Sequence, residues 1–155
     1  MAFNIVLVTP QIPQNTGNIS RLCAVSNARL HLIEPIGFSL MDKQLKRAGL
    51  DYWDDLEIKR YKNFETFLEK TNSNRMFFLS SKVRKAYWEE KFIDEDFLIF
   101  GSETSGLPEE ITCKYIDKFL TIPQSNKNVR CLNLSTSVGI VLYEAIRQNS
   151  INLGL

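Results

Sequence analysis

Three separated segments hold residues whose types and spacing suit chemistry. Phe100-Gly101-Ser102-Glu103-Thr104-Ser105-Gly106-Leu107-Pro108 sets two glycines around an acid. Glycine lets a backbone approach a ligand closely, and Glu103 offers an acceptor for a cationic group; a tight turn bearing a solvated acid fits the same residues. The spacing is not that of a phosphate loop, because Leu107-Pro108 stand where a Walker A motif needs Lys and Ser or Thr, and no G-x-G-x-x-G occurs. Arg130-Cys131-Leu132-Asn133-Leu134-Ser135 closes a polar stretch that begins at Ile122-Pro123. Ser135, with Asn133 before it, is expected to cap a following helix, whose first amides favour an anionic or polar group, with Arg130 able to reach a phosphate. Asn15-Thr16-Gly17-Asn18-Ile19-Ser20-Arg21 then places Arg21 one turn into a first helix, where it also reads as an ordinary surface arginine.

Nucleophilic and metal chemistry find little support. The chain's one histidine, His31, lies between Leu30 and Leu32 with no evident Ser, Asp or Cys partner, and reads as structural. Cys23, Cys113 and Cys131 are odd in number and lack C-x-x-C spacing. Neither a disulfide framework nor a zinc site is expected, and each cysteine reads as a small buried hydrophobe.

The elements that must position these segments alternate along the chain. Phe3 to Val8 is an apolar run ended by Thr9-Pro10 and reads as a buried strand; Asn15 to Asn18 read as loop and capping residues before a helix carrying Ile19, Leu22 and Cys23. Leu30 to Ile33 (strand), Asp42 to Ala48 (short helix closed by Gly49), Leu56 to Arg60 (strand) and a helix capped by Asn63 follow. Then come strands at Met76 to Leu79, Phe97 to Phe100 and Phe119 to Ile122, the last preceded by a short helix begun by Pro108. A helix from about Leu134 to Gln148 ends the series, with Val138, Val141, Leu142 and Ala145 on one face. The fold class expected is α/β, a mostly parallel sheet with helices on both faces, and ligands then bind beyond the carboxyl ends of the strands.

At 155 residues, with no linker-like stretch or repeat, a single domain over 1–155 is expected. Hydrophobic residues at 44% and only 12 Gly plus Pro exclude collagenous, low-complexity and disordered classes. No apolar run approaches a membrane span, and the opening run is too short for a signal peptide and lacks a basic flank; cysteines without a disulfide framework fit a reducing compartment, and a cytoplasmic location is expected. The net charge of +1 gives no global pull on nucleic acid, but cations gather at Lys43-Lys46-Arg47, Lys59-Arg60-Lys62, Lys82-Arg84-Lys85 and Lys127-Arg130.

Taken together in this order, Asn15-Thr16-Gly17-Asn18-Ile19-Ser20-Arg21, Phe100-Gly101-x-Glu103-Thr104-x-Gly106-Leu107-Pro108, and Ile122-Pro123 with Arg130-x-Leu132-Asn133-Leu134-Ser135 resemble the three motifs of SPOUT-class RNA ribose 2'-O-methyltransferases. Ile12-Pro13-Gln14, Leu32-Ile33-Glu34-Pro35-Ile36-Gly37-Phe38 and Leu45-Lys46-Arg47-Ala48-Gly49-Leu50-Asp51-Tyr52 narrow the resemblance to the TrmL family, which methylates the ribose of the tRNA wobble nucleotide. Ser102 and Ser105 stand where proline and arginine are common in close relatives, and Cys131 where serine is common.

The resemblance implies a homodimer acting on the tRNA anticodon loop of leucine isoacceptors, at cytidine or modified uridine, with S-adenosylmethionine as methyl donor, no metal, and a C-terminal deep trefoil knot. Periodicity alone implies an unknotted sheet, since true knots are almost absent from folds. Carried over by motif, the cofactor positions are Leu79, Gly101, Glu103, Ile122, Cys131 and Leu132, and the catalytic ones Arg21 and Tyr143. RNA contacts are expected from Arg130, Lys82, Lys46, Arg47, Asn133 and Ser135. Another tRNA position, a ribosomal RNA target or a catalytically silent RNA-binding module is the alternative. Arg21 matches a residue often described as a base; a guanidinium stays protonated, so a donor to developing alkoxide charge is the physically consistent role.

Overall fold

The computed structural model describes residues 2–40, 43, 47 and 56–153. Strands β1 (Asn4–Val8), β2 (Arg29–Ile33), β3 (Ile58–Tyr61), β4 (Met76–Leu79), β5 (Phe97–Phe100) and β6 (Phe119–Leu120) form one parallel sheet in the order β3-β2-β1-β5-β4-β6. Helices α1 (Pro13–Ser26), α2 (Phe64–Thr71), α3 (Glu109–Lys114), α4 (Leu134–Gln148) and a final turn α5 (Ser150–Leu153) complete it. The expected α/β architecture is therefore present.

Both faces are apolar because successive strand residues alternate. Ile5 and Leu7 point to one side with Leu30, Leu98 and Phe100, under Ile19 and Cys23 of α1 and Val138, Val141, Leu142 and Ala145 of α4. Val6 and Val8 point to the other with Ile33, Phe78 and Ile99, under Phe64 and Phe67 of α2 and Ile111 of α3. Central strands buried on both faces read as continuous apolar runs, which is why they are legible in sequence.

Helix starts depart from expectation in three places. α1 begins at Pro13, so Asn15, Thr16 and Gly17 are buried helical residues rather than a loop, and Arg21 lies two turns in rather than one. Pro13 presets the first helical turn, and the cap residue Ile12 has no side-chain acceptor of its own. α4 is capped by Asn133, not Ser135: Asn133 Oδ1 accepts from the amides of Ser135 at 2.9 Å and Thr136 at 3.3 Å, which places Ser135 inside the first turn. Pro108 caps α3 from outside instead of opening it.

Other boundaries shift less. β3 runs one residue past Arg60, and β6 stops at Leu120, with Thr121 forming a bridge to Ala86. Asn63 caps α2 as expected, accepting from Thr66 N at 2.8 Å. The Asp42 to Ala48 helix lies outside the described residues save Lys43 and Arg47, both helical and exposed. Cys23 is buried, but Cys113 and Cys131 are exposed, because each sits on a loop or a helix face turned from the two cores.

Candidate active site

The sheet's order reverses between β1 and β5, the place where open α/β sheets form ligand crevices. A cleft of about 1300 Å³ opens there, at the carboxyl ends of β1, β4 and β5. Thr9, just past β1, forms part of its wall with φ of 51°, a left-handed conformation that a β-branched residue rarely takes and that marks functional sites more often than ordinary loops. Nothing in the sequence singled out Thr9.

The Gly101 to Pro108 loop makes one side. Ser102 N donates to Gly106 O at 3.2 Å and Gly106 N to Ser102 O at 3.1 Å, closing the loop on itself. A Cβ on Gly101 would lie 2.2 Å from the carbonyl carbon of Gly106, and Gly106 holds φ of 67°, so both positions require glycine for backbone reasons. Ser102 and Ser105 share a 2.7 Å hydroxyl contact, and Ser105 N donates to Ser102 Oγ at 3.1 Å. The two serines that depart from the motif therefore brace the loop from within.

Glu103 lines the cleft, yet its carboxylate is committed to the chain. Oε2 accepts from Gln11 N at 2.8 Å, while Oε1 accepts from Ile12 N at 3.0 Å and from Asn15 Nδ2 at 3.3 Å. The two backbone amides belong to the residues that lead into α1, so Glu103 fixes the entry of that helix, and a carboxylate there also opposes its positive end. Asn15 Oδ1 in turn accepts from Asn133 Nδ2 at 3.0 Å, and Asn133 caps α4. All three motif segments are thus joined by one hydrogen-bonded chain. Glu103 and Asn133, expected at the cofactor and the RNA, both line the cleft and are also hydrogen-bonded into this arrangement.

Leu79, Gly101, Ile122, Cys131 and Leu132 all line the cleft, as do Lys82 and Arg130 at its edge, both exposed. Ser135 is not among the lining residues, and Lys46 lies outside the described ones. Arg21 and Tyr143 do not line the cleft either; both are exposed, on α1 and α4, which pack on one another. Tyr143 at 49% exposure is no core residue of that helix.

Apolar side chains from Leu79, Ile122 and Leu132, facing main-chain groups of a glycine loop whose carboxylate is internally spent, fit a nucleoside-bearing ligand such as S-adenosylmethionine. The volume exceeds the range of about 300 to 1,000 Å³ usual for one small ligand, leaving room for a second group beside it. His31 takes no part: it is buried in β2, with Nδ1 2.9 Å from Tyr61 Oη and Nε2 3.0 Å from Asn4 Oδ1. Burial, aided by the nearby Lys59 charge, lowers its pKa to about 4. Burial likewise pushes the Cys23 thiol far up, which removes it as a nucleophile.

This fold and cleft define an open α/β ligand-binding scaffold, and sequence comparison gives it a family. Residues 2–143 match the model of the SpoU rRNA Methylase family, and the chain belongs to that family. A protein of Saccharophagus degradans named tRNA (cytidine(34)-2'-O)-methyltransferase is 47% identical over 148 residues, covering 94% of this chain and 95% of its own. One of the same name from Methylovorus glucosotrophus is 46% identical, covering 95% and 96%. A solved structure described as giving insights into 2-OH methylation of C/U34 on tRNA superposes with a TM-score of 0.91 at 41% identity, covering 96% of this chain and 97% of that one. The SpoU methyltransferase AviRb of Streptomyces viridochromogenes, in complex with AdoMet, shares the fold at a TM-score of 0.84 and 20% identity, over 95% of this chain and 57% of that one.

Proposed function

We propose that the chain is a tRNA methyltransferase that modifies the ribose 2'-oxygen of the wobble nucleotide, position 34, cytidine or modified uridine. The observation that carries the reading is the hydrogen-bonded union of three motif segments around one cleft, in a chain nearly half identical to proteins bearing that name. S-adenosylmethionine, when bound, supplies an electrophilic methyl group on sulfonium sulfur. Leu79, Ile122 and Leu132 would hold its apolar surfaces, and the backbones of Gly101 and Cys131 its polar ones. The Gly101 to Pro108 loop excludes water on that side and fixes where the acceptor oxygen must lie.

Arg21 is inferred to donate to the ribose oxygen as negative charge develops, with the proton leaving to water or an RNA phosphate. Tyr143 orients the RNA. Since neither residue lines the cleft of its own chain, the reading requires a homodimer in which α1 and α4 of one protomer reach the cleft of the other. Lys82, Arg130, Lys46 and Arg47 are assigned to phosphates of the anticodon loop, whose unstacked bases can be splayed out. Leucine isoacceptors as substrates, one domain over 1–155 and a cytoplasmic location belong to the same reading. So does the C-terminal trefoil knot; in its support, the chain leaves β6 at the sheet's edge beyond β4 and returns through 122–133 to place α4 on α1 and β5.

The test is transfer from methyl-labelled S-adenosylmethionine to tRNA of a strain lacking the gene, with the label mapped by digestion and mass spectrometry. Label on the wobble ribose is expected; label elsewhere, or none with cofactor binding intact, overturns the reading. Arg21→Ala is expected to lower kcat by about two orders of magnitude, equivalent to about 3 kcal/mol, with cofactor affinity nearly unchanged.

A further inference from the structure

The segment between β4 and β5 starts in the wall of the cleft, where Ser80, Ser81 and Lys82 line it. It ends against α4, where Phe92 N donates to Gln148 Oε1 at 2.9 Å and Gln148 Nε2 to Glu90 O at 3.0 Å. Midway it is pinned to the sheet. Thr121 N donates to Lys85 O at 2.8 Å and Tyr87 N to Thr121 O at 2.9 Å. On that fixed frame Tyr87 packs against the core, while its neighbour Trp88 projects, 55% exposed, with the two rings edge to face at 5.1 Å.

The charges around Trp88 are unequal in what they are free to do. Glu89 accepts from Ala86 N at 2.9 Å, and Glu90 pairs with Lys85 at 2.6 Å, so the two acids that follow Trp88 are engaged. Lys82 and Arg84 are exposed, and among the described residues neither makes an ion pair. An exposed indole four residues from Arg84 and six from Lys82, cations that make no ion pair among the described residues, has the composition of a single-strand nucleic-acid platform, on which a base stacks while its phosphates meet the cations.

We propose that Trp88, Lys82 and Arg84 form a binding surface for a single-stranded nucleotide of the RNA substrate, flanking the one whose ribose enters the cleft. Lys82 belongs to the cleft wall and to this surface, which makes the two continuous. Trp88 is six residues further on, at most about 20 Å away, a span that a few nucleotides cover. The surface rests on the reading of the cleft as an RNA ribose methylation site.

A protein carrying Trp53→Phe keeps Trp88 as its single indole. Titration with unfractionated tRNA, and with an anticodon stem-loop RNA, is expected to quench its fluorescence to saturation near the tRNA KM for methyl transfer. Trp88→Ala should weaken tRNA binding and raise that KM by about tenfold, with the Kd for S-adenosylmethionine unchanged and partial rescue by Trp88→Phe. Arg84→Gln should lower the salt dependence of tRNA binding by about one phosphate contact. Unquenched fluorescence at saturating RNA, or wild-type tRNA affinity in Trp88→Ala, overturns the surface. Loss of dimer on sedimentation of Trp88→Ala also overturns it, by assigning the indole to a contact between copies. If the parent protein is quenched by tRNA but transfers no methyl to position 34, the functional reading fails and the surface stands; if methylation of 34 proceeds and Trp88→Ala matches the parent in KM, the surface fails alone.

Discussion

Two of the polar networks among the described residues use the same physics to different ends. In the interior, Asn4, His31 and Tyr61 join β1, β2 and β3 through two hydrogen bonds, with Phe67 and Phe97 packed on the imidazole. Both partners of His31 are neighbouring strand residues, Asn4 Nδ2 also donates to the Glu95 carbonyl at 3.0 Å, and all three side chains are buried. At the cleft, Glu103 and Asn133 join segments about ninety to one hundred and twenty residues apart in sequence, and their partners are helix starts rather than strand neighbours. The first network holds β1, β2 and β3, one half of the sheet, together. The second fixes how α1, the glycine loop and α4 meet, which is the geometry any reaction in the cleft depends on. A polar cluster is distinguished here by where its partners lead, not by how perturbed its titration is: the chain's one histidine, its pKa lowered by burial, lies away from the cleft.

That contrast yields three expectations. The largest concerns acid. Burial keeps His31 neutral in the folded protein down to about pH 4, whereas in the unfolded chain it protonates near the ordinary histidine value of 6.5. The unfolded state therefore binds the extra proton between those values, and stability falls as pH drops through that window, by about 3 kcal/mol at its foot. Urea unfolding midpoints between pH 7.5 and 4 measure this. His31→Gln should flatten that part of the profile while methyl transfer by the folded protein at neutral pH persists; a comparable loss of transfer would erase the distinction between the networks.

Next in size is Glu103→Gln, which sets an amide NH₂ against one of two backbone donors. Stability should drop by about 2 kcal/mol, with kcat lower by about tenfold and the pH profile of stability attributable to His31 intact. An active enzyme with only the stability loss would make the cleft network as purely structural as the interior one. Smallest is Asn133→Ala, which removes the α4 cap and frees Asn15 Oδ1. About 1 kcal/mol of stability is expected to go, with a measurable rise in exchange of the Ser135 and Thr136 amides that Asn133 holds.

Much of the scaffold was legible because it rests on local pattern. The apolar runs at Asn4–Val8, Met76–Leu79 and Phe97–Phe100 and the 134–148 stripe report burial directly, residue by residue. Asn63 could be read as a cap because its acceptor bonds an amide three residues on. The start of α1 differs from expectation for the opposite reason: the residues leading into it are held by Glu103, about ninety residues later, and no window of sequence contains both. Thr9 escaped notice because φ is not written in a side chain's type.

The sequence by itself determined the alternation of strands and helices, the glycines without which the 101–106 loop cannot close, and the family to which the motifs belong. Tertiary structure decided that Glu103 clamps α1, that Asn133 rather than Ser135 caps α4, and that Arg21 and Tyr143 stand away from their own chain's cleft. The division follows from range. Burial and backbone sterics act on each residue and its near neighbours, so they leave a periodic trace; hydrogen-bond pairing across the sheet's end depends on which loops meet there, and that is known only once the chain is folded.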